Sequence, residues 1–422
     1  MHAASRFGSM LSQEDQEEGW RDMADEANAN KPIVKSSEPV RSLPTDPAQP
    51  EPGIALCLSG GGYRAMLFHL GSLWRLNEAG LLKKLNRISS VSGGSITAGV
   101  LGLNWRKLDF DPMTGVAQRF QEEVVAPIRR LAGKTIDVRS VISGLLLPGS
   151  IADKIAGAYR KHLFGQATLQ DLPNDGEGPR FVINAANVQT GSLWRFSKPY
   201  MGDYQVGRVG KPTVSLAVAV AASSAFPPFL SPVTLPVDAS AYIPTEGAKL
   251  NSPPYTTAVV LTDGGVYDNL GLETAWKRYQ TILVSDGGQL MTSVPSPQKD
   301  WFRHVVRVLN MLDNQVRALR KRQLVDSYLK KQRSGGYWGI GVDIQKYEVG
   351  DPLGCPVERT CQLMAVPTRL KHLPCGLQAQ LINWGYAACD AALRKHCKDV
   401  LLSQYQVEVR DPRGFPYPDE RV

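Results

Sequence analysis

The stretch that most constrains this chain is IALCLSGGGYRAMLFHLG, residues 54–71. An apolar run of strand length breaks on Gly60-Gly61-Gly62 and resumes with apolar residues at helical spacing. A short apolar run closed by glycine fits a strand buried on both faces, and such a strand feeding a helix belongs to a parallel α/β unit. Read literally, Gly60-Gly61-Gly62-Tyr63-Arg64-Ala65 also fits the dinucleotide template G-x-G-x-x-A. That reading needs an acidic residue at the end of the next strand to hold a ribose. The next strand, within LNRISSVSGG, ends in serine and glycine, and Glu78 falls inside the first helix. No Gly-Lys-Ser/Thr follows, so a P-loop fits no better. What remains is a set of bare backbone N–H groups at a helix start, suited to some other negative charge.

The same alternation continues downstream. SITAGVLGLNW reads as a helix, VAQRFQEEVVAPIRRLAG and IADKIAGAYRKHLF as amphipathic helices, and RFVINAANVQTGSLWRFS as a hairpin turning at Thr190-Gly191. VSLAVAVAASSAF is a small-residue helix closed by Pro227-Pro228, and AVVLTDGG and TILVSDGG are buried strands that both end in Asp-Gly-Gly. Strands alternating with helices predict an α/β domain with a largely parallel sheet. Its expected span is 53–400, after a partly disordered, proline-rich arm (1–52) and before a short tail (401–422). The N-terminus shows no secretory pattern, and the longest apolar stretch meets two prolines short of the roughly 20 residues a membrane span requires. Five of the six cysteines lie beyond position 350, with no C-x-x-C pair and no histidine at ligand spacing. Free thiols, no metal, and a cytoplasmic and at most peripheral protein are expected.

The formal net charge is +8, and it is concentrated. Residues 302–333 hold nine basic side chains (Arg303, Arg307, Arg317, Arg320, Lys321, Arg322, Lys330, Lys331, Arg333) against Asp313 and Asp326. Three readings fit: a solvated helix face, a surface for anionic lipid, or a nucleic-acid contact. Aromatic residues for base stacking are scarce there, which disfavours nucleic acid.

Two residue types supply the candidate chemistry. In VSGGSITAG, Ser95 follows a buried strand at the start of a helix, the setting of a nucleophile elbow. Strand and helix pass closely there, so small residues are needed two places to either side. Gly93 meets that upstream, next to Gly94, whereas Thr97 stands downstream where the template has Gly. The alternative is an ordinary helix N-cap. Asp263, followed by Gly264 and Gly265, ends a strand and would point into the crevice where parallel sheets bind ligands. Asp286 in VSDGGQ looks the same, and the residues alone barely separate the two. A Ser-His-Asp triad with His304, His372 or His396 would keep a workable chain order, although none of these lies in a loop suited to it. His69 lies on the first helix.

The segments SGGGYR, SGGSITAG, AASSAFPPFLSPV and DGGVYDNLG follow one another at spacings that resemble the patatin-like phospholipases. The resemblance runs over about residues 53–290 and extends toward 397. It implies a three-layer patatin-like α/β fold, a mostly parallel central sheet flanked by helices, and a Ser–Asp dyad that needs no cofactor. It implies Ser95 as nucleophile, Asp263 as its partner, and Gly60, Gly61 and Gly62 as the oxyanion hole, with Arg64 as the accompanying basic residue. Phospholipid or lysophospholipid is the implied substrate, with peripheral contact to anionic membrane through 302–333. A catalytically impaired lipid-binding scaffold of the same fold is the alternative that Thr97 raises.

Overall fold

The computed structural model describes residues 50–136, 151–245, 248–297, 299–350 and 352–422. The chain divides into Met1–Glu38 and Pro39–Val422, and everything described lies in the second unit. The expected arm thus lies outside the described residues up to position 49, and Glu51 and Pro52 already belong to the first strand.

β1 (Glu51–Leu58) leads into α1 (Gly62–Glu78), and β2 (Leu85–Val91) into α2 (Gly93–Leu103). The amphipathic runs that follow fold as α3 (Ala126–Ala132) and α4 (Ile151–Tyr159), each continuous with a π-helical turn, Gln121–Val125 and Arg160–Phe164. β3 (Arg180–Asn187) and β4 (Ser192–Phe196) form the expected hairpin. β5 (Tyr200–Asp203) and β6 (Gly207–Gly210) precede the small-residue helix α5 (Leu216–Ser223). Then come β7 (Val233–Pro236), β8 (Tyr242–Ile243), β9 (Ala258–Asp263), β10 (Tyr279–Asp286), the long α6 (Trp301–Leu329) and β11 (Ser334–Gly339). α7 (Val357–Met364), α8 (Cys375–Ala392) and α9 (Lys398–Tyr405) complete the order.

The strands form one large sheet flanked by helices. From one edge inward β11-β10-β1-β2-β3 run parallel, and the other strands extend the sheet antiparallel. Alternation along β1 divides the interior into two layers. Ile54, Leu56 and Leu58 pack with α1, α2 and α8, while Ala55 and Cys57 pack with Leu270, Leu272 and Leu324 on the side of α6. A strand apolar at every position is therefore explained by helices on both faces.

β9 departs from expectation, because it pairs antiparallel with β3. Its register still brings Asp263 to the right height. Val91 at the end of β2 lies opposite Asn184, and Asp263 lies opposite the next residue, Ala185. The expected tail at 401–422 also proves to be part of the domain. α9 crosses that boundary, Val407, Val409 and Val422 are buried, and the Asn383 amide donates to Tyr417 O and Glu420 O at 2.8 Å each. All six cysteines are free thiols.

Candidate active site

Between the end of β2 and the start of α2 a single residue, Ser92, makes the turn. It holds φ 49° and ψ −117°, a positive φ on a residue that carries a Cβ. A strained strand-to-helix turn that lifts a serine out of the sheet is the geometry of a nucleophile elbow. Its neighbours fix the strain. The Ser92 N–H donates to Ser223 Oγ (2.9 Å), and Ser223 Oγ in turn donates to Asn184 O (2.6 Å). Ser92 O accepts the N–H of Ser95 (2.8 Å) and of Ile96 (3.2 Å). Small residues are required on both sides because the backbones touch. A Cβ on Gly94 would stand 2.4 Å from Leu58 O, and one on Gly93 would stand 2.3 Å from Gly62 O.

Asp263 is buried beside this turn, its own N–H donating to Ala225 O (3.0 Å) in the segment that follows Ser223. Burial pushes its carboxyl up to about 7. The Gly265 N–H (2.7 Å) and the Ser92 hydroxyl, which is within hydrogen-bonding reach, oppose that rise, and the charge of Asp313 adds to it. The result is a carboxylate that faces a serine hydroxyl and has no cation beside it among the described residues.

The glycine loop lies across the elbow. Gly61 (φ 143°) caps α1 and Gly62 (φ 61°) opens it. The amides of Gly62 and Gly93 each open a helix, so neither has an intrahelical acceptor. The Gly60 N–H, by contrast, is already engaged by Asn269, through both its backbone O and Oδ1 at 3.1 Å. Arg64 is fully buried. Its Nε and Nη2 donate to Gly287 O (3.1 and 3.0 Å) and its Nη1 donates to Val366 O, so it ties the loop to the turn after β10. Burial lowers its pKa to about 10.

The sequence profile of the family described as patatin-like phospholipase matches residues 56–276, just over half of the 422 residues. The chain belongs to the patatin-like phospholipases. No curated protein matches it. Among solved structures it is similar to human GIVD cytosolic phospholipase A2 in complex with methyl gamma-linolenyl fluorophosphonate, with 13% identity, TM-score 0.44, and coverage of 94% of this chain and 64% of that one. A second structure of the human protein gives 15% identity, TM-score 0.36, and 61% and 47% coverage. VipD from Legionella pneumophila gives 16%, TM-score 0.34, and 89% and 73%. The chain thus spans about half to two-thirds of the human protein's solved chains. Family membership supports lipid hydrolase activity in general terms.

Within this patatin-like framework, several sequence-level expectations are corrected. Ser95 is not at the elbow. It lies inside α2, is fully buried, and its hydroxyl is engaged by Ser90 Oγ (3.0 Å) and Ser223 Oγ (2.9 Å). The helix begins two residues earlier than SITAG suggests, which moves the turn back to Ser92. The signal was present in Ser90-Val91-Ser92-Gly93-Gly94, which has small residues two places to either side of Ser92. Thr97 then has no bearing on the elbow, and its hydroxyl donates to Met66 O (2.9 Å). Gly60 lacks the free amide expected of it, whereas Gly61, Gly62, Gly93 and Gly94 all lie at the turn. Gly264 and Gly265 let the chain turn after Asp263 close to Asn184 and Asn269.

Asp286 is a different carboxylate. Burial alone would raise its pKa, yet it is held below the ordinary range by Arg317 (3.8 Å), the Tyr337 hydroxyl (2.8 Å) and the Gly288 N–H (2.9 Å). None of the candidate histidines completes a triad. His304 and His372 are exposed and His396 packs edge-on against Tyr347. His69 is fully buried, its Nε2–H donating to Ser59 O (2.9 Å) and its Nδ1 accepting from Ser285 Oγ (2.8 Å). Burial lowers its pKa to about 4, so it is neutral. Among the described residues no cluster of side chains is arranged to hold a metal ion.

Proposed function

We propose that this protein is a serine lipid acyl hydrolase of the phospholipase A or lysophospholipase type, with Ser92 as nucleophile and Asp263 as its base. The observation that carries this reading is a strained elbow serine within reach of a buried carboxylate that has no cationic partner among the described residues. Asp263 takes the Ser92 Oγ proton as Oγ attacks the carbonyl carbon of a fatty-acyl ester. The carbonyl π bond opens to an oxyanion, which the amides of Gly61, Gly62 and Gly93 receive at the start of two helices. Collapse of the oxyanion expels the alcohol of the lipid, protonated by Asp263, and leaves an acyl-serine. Water, deprotonated by Asp263, then releases the fatty acid. A base with its pKa near 7 suits both proton transfers better than an ordinary carboxylate.

The substrates are fatty-acyl esters of glycerophospholipids or lysophospholipids, reached from the cytoplasmic side by a protein that visits the membrane. Among the described residues no helix is long and apolar enough to cross one. The reaction needs only side chains, backbone amides and water.

Labelling with an alkyl fluorophosphonate, with the modified residue located by peptide fragmentation, tests the assignment. Ser92 should carry the label, Ser92→Ala should abolish both labelling and fatty-acid release, and Ser95→Ala should retain both. Label on Ser95, or undiminished labelling of Ser92→Ala, would overturn it. A folded protein that binds lipid yet neither labels nor releases fatty acid is the scaffold instead.

A further inference from the structure

The basic side chains of residues 302–333 are largely engaged within the fold. Arg303 faces Asp300 (3.7 Å), Arg317 faces Asp286 (3.8 Å), Arg320 bonds Glu273 (2.9 Å) and Lys330 bonds Asp326 (2.8 Å). Arg307 donates to Thr292 O (3.3 Å), while Lys321 lies over the Tyr337 ring (4.6 Å) and Arg333 over Trp276 (5.3 Å). A second basic group, scattered in the sequence, is gathered by the fold without matching acids. Arg129 and Arg130 at the end of α3, with Lys134 just beyond, line a cavity of about 670 Å³. Lys161 and His162, in the π-helical turn Arg160–Phe164, supply a second wall. The first turn of α8 supplies a third, through Cys375 and Gln378.

Among the described residues no carboxylate lines this cavity, and none of Arg129, Arg130, Lys134 and Lys161 forms an ion pair. Glu420 borders the same end of α8 at Gly376 and offsets part of the charge. The walls are tied to one another. The Leu373 N–H donates to Ala132 O (2.9 Å) and the Ile136 N–H to Leu370 O (2.8 Å). Gln378, which is buried, donates through Nε2 to Leu373 O (2.8 Å) and accepts Arg129 Nε at its Oε1 (3.4 Å). Arg129 Nη2 donates to Cys375 O (3.3 Å), and the guanidinium lies over the Tyr417 ring (4.5 Å). This cation is therefore fixed in place before any anion arrives.

We propose that this cavity binds a compact, multiply charged phosphate compound, taken up as a free solute. A concavity lined by one sign of charge focuses its field on what enters, and the repulsion among its cations is relieved when an anion arrives. Guanidinium forks and ammonium groups both suit phosphate oxygens. The Cys375 and Gly376 amides open α8 without intrahelical acceptors and add donors of the same sign. The volume is that of a small-molecule site. Ala126 and Leu131 give the lining little apolar surface, so a polar solute fits it better than an acyl chain. Neither Ser92 nor Asp263 lines the cavity, and the proposal stands independently of the hydrolase reading.

Calorimetric titration of the full chain with sodium pyrophosphate, at pH 7 and fixed ionic strength, tests this. Wild type should bind it saturably, with one pyrophosphate per chain. Lys134→Gln/Lys161→Gln removes two exposed cations from different walls and should weaken binding at least about tenfold. Lys330→Gln/Lys331→Gln removes as much exposed charge elsewhere and should leave the affinity within about twofold. Bound pyrophosphate should also slow alkylation of Cys375 by iodoacetamide and spare Cys361, the other exposed thiol. Matching thermal melts would show that both variants fold. Absence of saturable binding to wild type would overturn the proposal. Equal weakening in the two variants would do so as well, since it marks attraction to bulk charge, as would equal protection of the two thiols. Citrate bound as tightly as pyrophosphate would overturn the assignment to phosphate.

Discussion

Asp263 and Asp286 each end a buried strand, each precede two glycines, and each accept the N–H of the residue two places on, at 2.7 and 2.9 Å. They differ in what stands opposite. Asp286 meets the Arg317 guanidinium and the Tyr337 hydroxyl, and its pKa lies below the ordinary range. Asp263 meets a serine hydroxyl and no cation, and its pKa rises to about 7. Burial is common to both, so burial alone does not make a base. Burial without a compensating charge does. The two turns also divide the labour of the site. Gly287, after Asp286, accepts Arg64 through its carbonyl and donates its N–H to Ser59 Oγ (2.8 Å), so that turn supports the glycine loop. The turn after Asp263 supplies the charge that the elbow faces.

The two carboxylates should differ most in catalysis. Asp263→Asn should lower kcat/KM by about 10²–10⁴-fold, the range expected on losing a general base, and Asp286→Asn by less than about tenfold. A larger loss at position 286 would reverse the roles. Next in size is the pH profile. Asp263 must be ionised to accept a proton, so kcat/KM should fall about tenfold per pH unit below a midpoint near 7 and level off above it. A midpoint in the ordinary carboxylate range would remove the argument from burial.

Stability should move in opposite directions at the two positions. The unfolded Asp263 carboxyl loses its proton near its ordinary pKa of about 3.9, whereas the folded one keeps it to about 7. The folded state binds more protons in between, so this group lowers stability as pH rises through that window. Urea unfolding at pH 8 should therefore show Asp263→Asn more stable than wild type, by on the order of 1–4 kcal/mol. Asp286→Asn should be less stable by roughly 3 kcal/mol, because it removes the carboxylate that faces the buried Arg317 guanidinium. Equal signs at the two positions would mean that their surroundings are not the cause.

Much of this was legible before the structure. The run IALCLS had to be a two-sided strand, and the glycines had to face a negative charge, because pattern and steric freedom leave few other options. The two Asp-Gly-Gly turns were visible as a pair, but their difference was not. Arg317 and Tyr337 lie 31 and 51 residues beyond Asp286 in the chain, and only tertiary packing brings them to it. The elbow lies three residues before the serine that the pattern favours, for a local reason. SVSGGS offers three serines, and two glycines ahead of Ser95 read as turn rather than helix, although glycine at N1 and N2 is tolerated when backbones must touch. The antiparallel course of β9 was hidden for another reason. A buried strand has the same composition in either direction, and only its partners set its sense.

A single hydroxyl on Asp286 should matter least. Tyr337→Phe removes the hydroxyl that donates to Asp286 Oδ2 at 2.8 Å and leaves the ring under Lys321. A hydrogen bond to a charged group contributes roughly 1.5–3 kcal/mol, so unfolding at pH 7 should show a loss of that order. The sign with pH is fixed by the lowered pKa of Asp286. A carboxylate depressed in the folded state stabilises it above the ordinary carboxyl range, and that contribution disappears as pH falls through its folded value. The gap between wild type and Tyr337→Phe should therefore be full near neutrality and close in acid. Activity should change by less than about threefold, since Asp286 bears on the glycine loop through Gly287, whose carbonyl holds Arg64 and whose N–H holds Ser59. If this single hydroxyl instead lowered turnover as far as Asp263→Asn does, the second turn would belong to the chemistry as well as to its support.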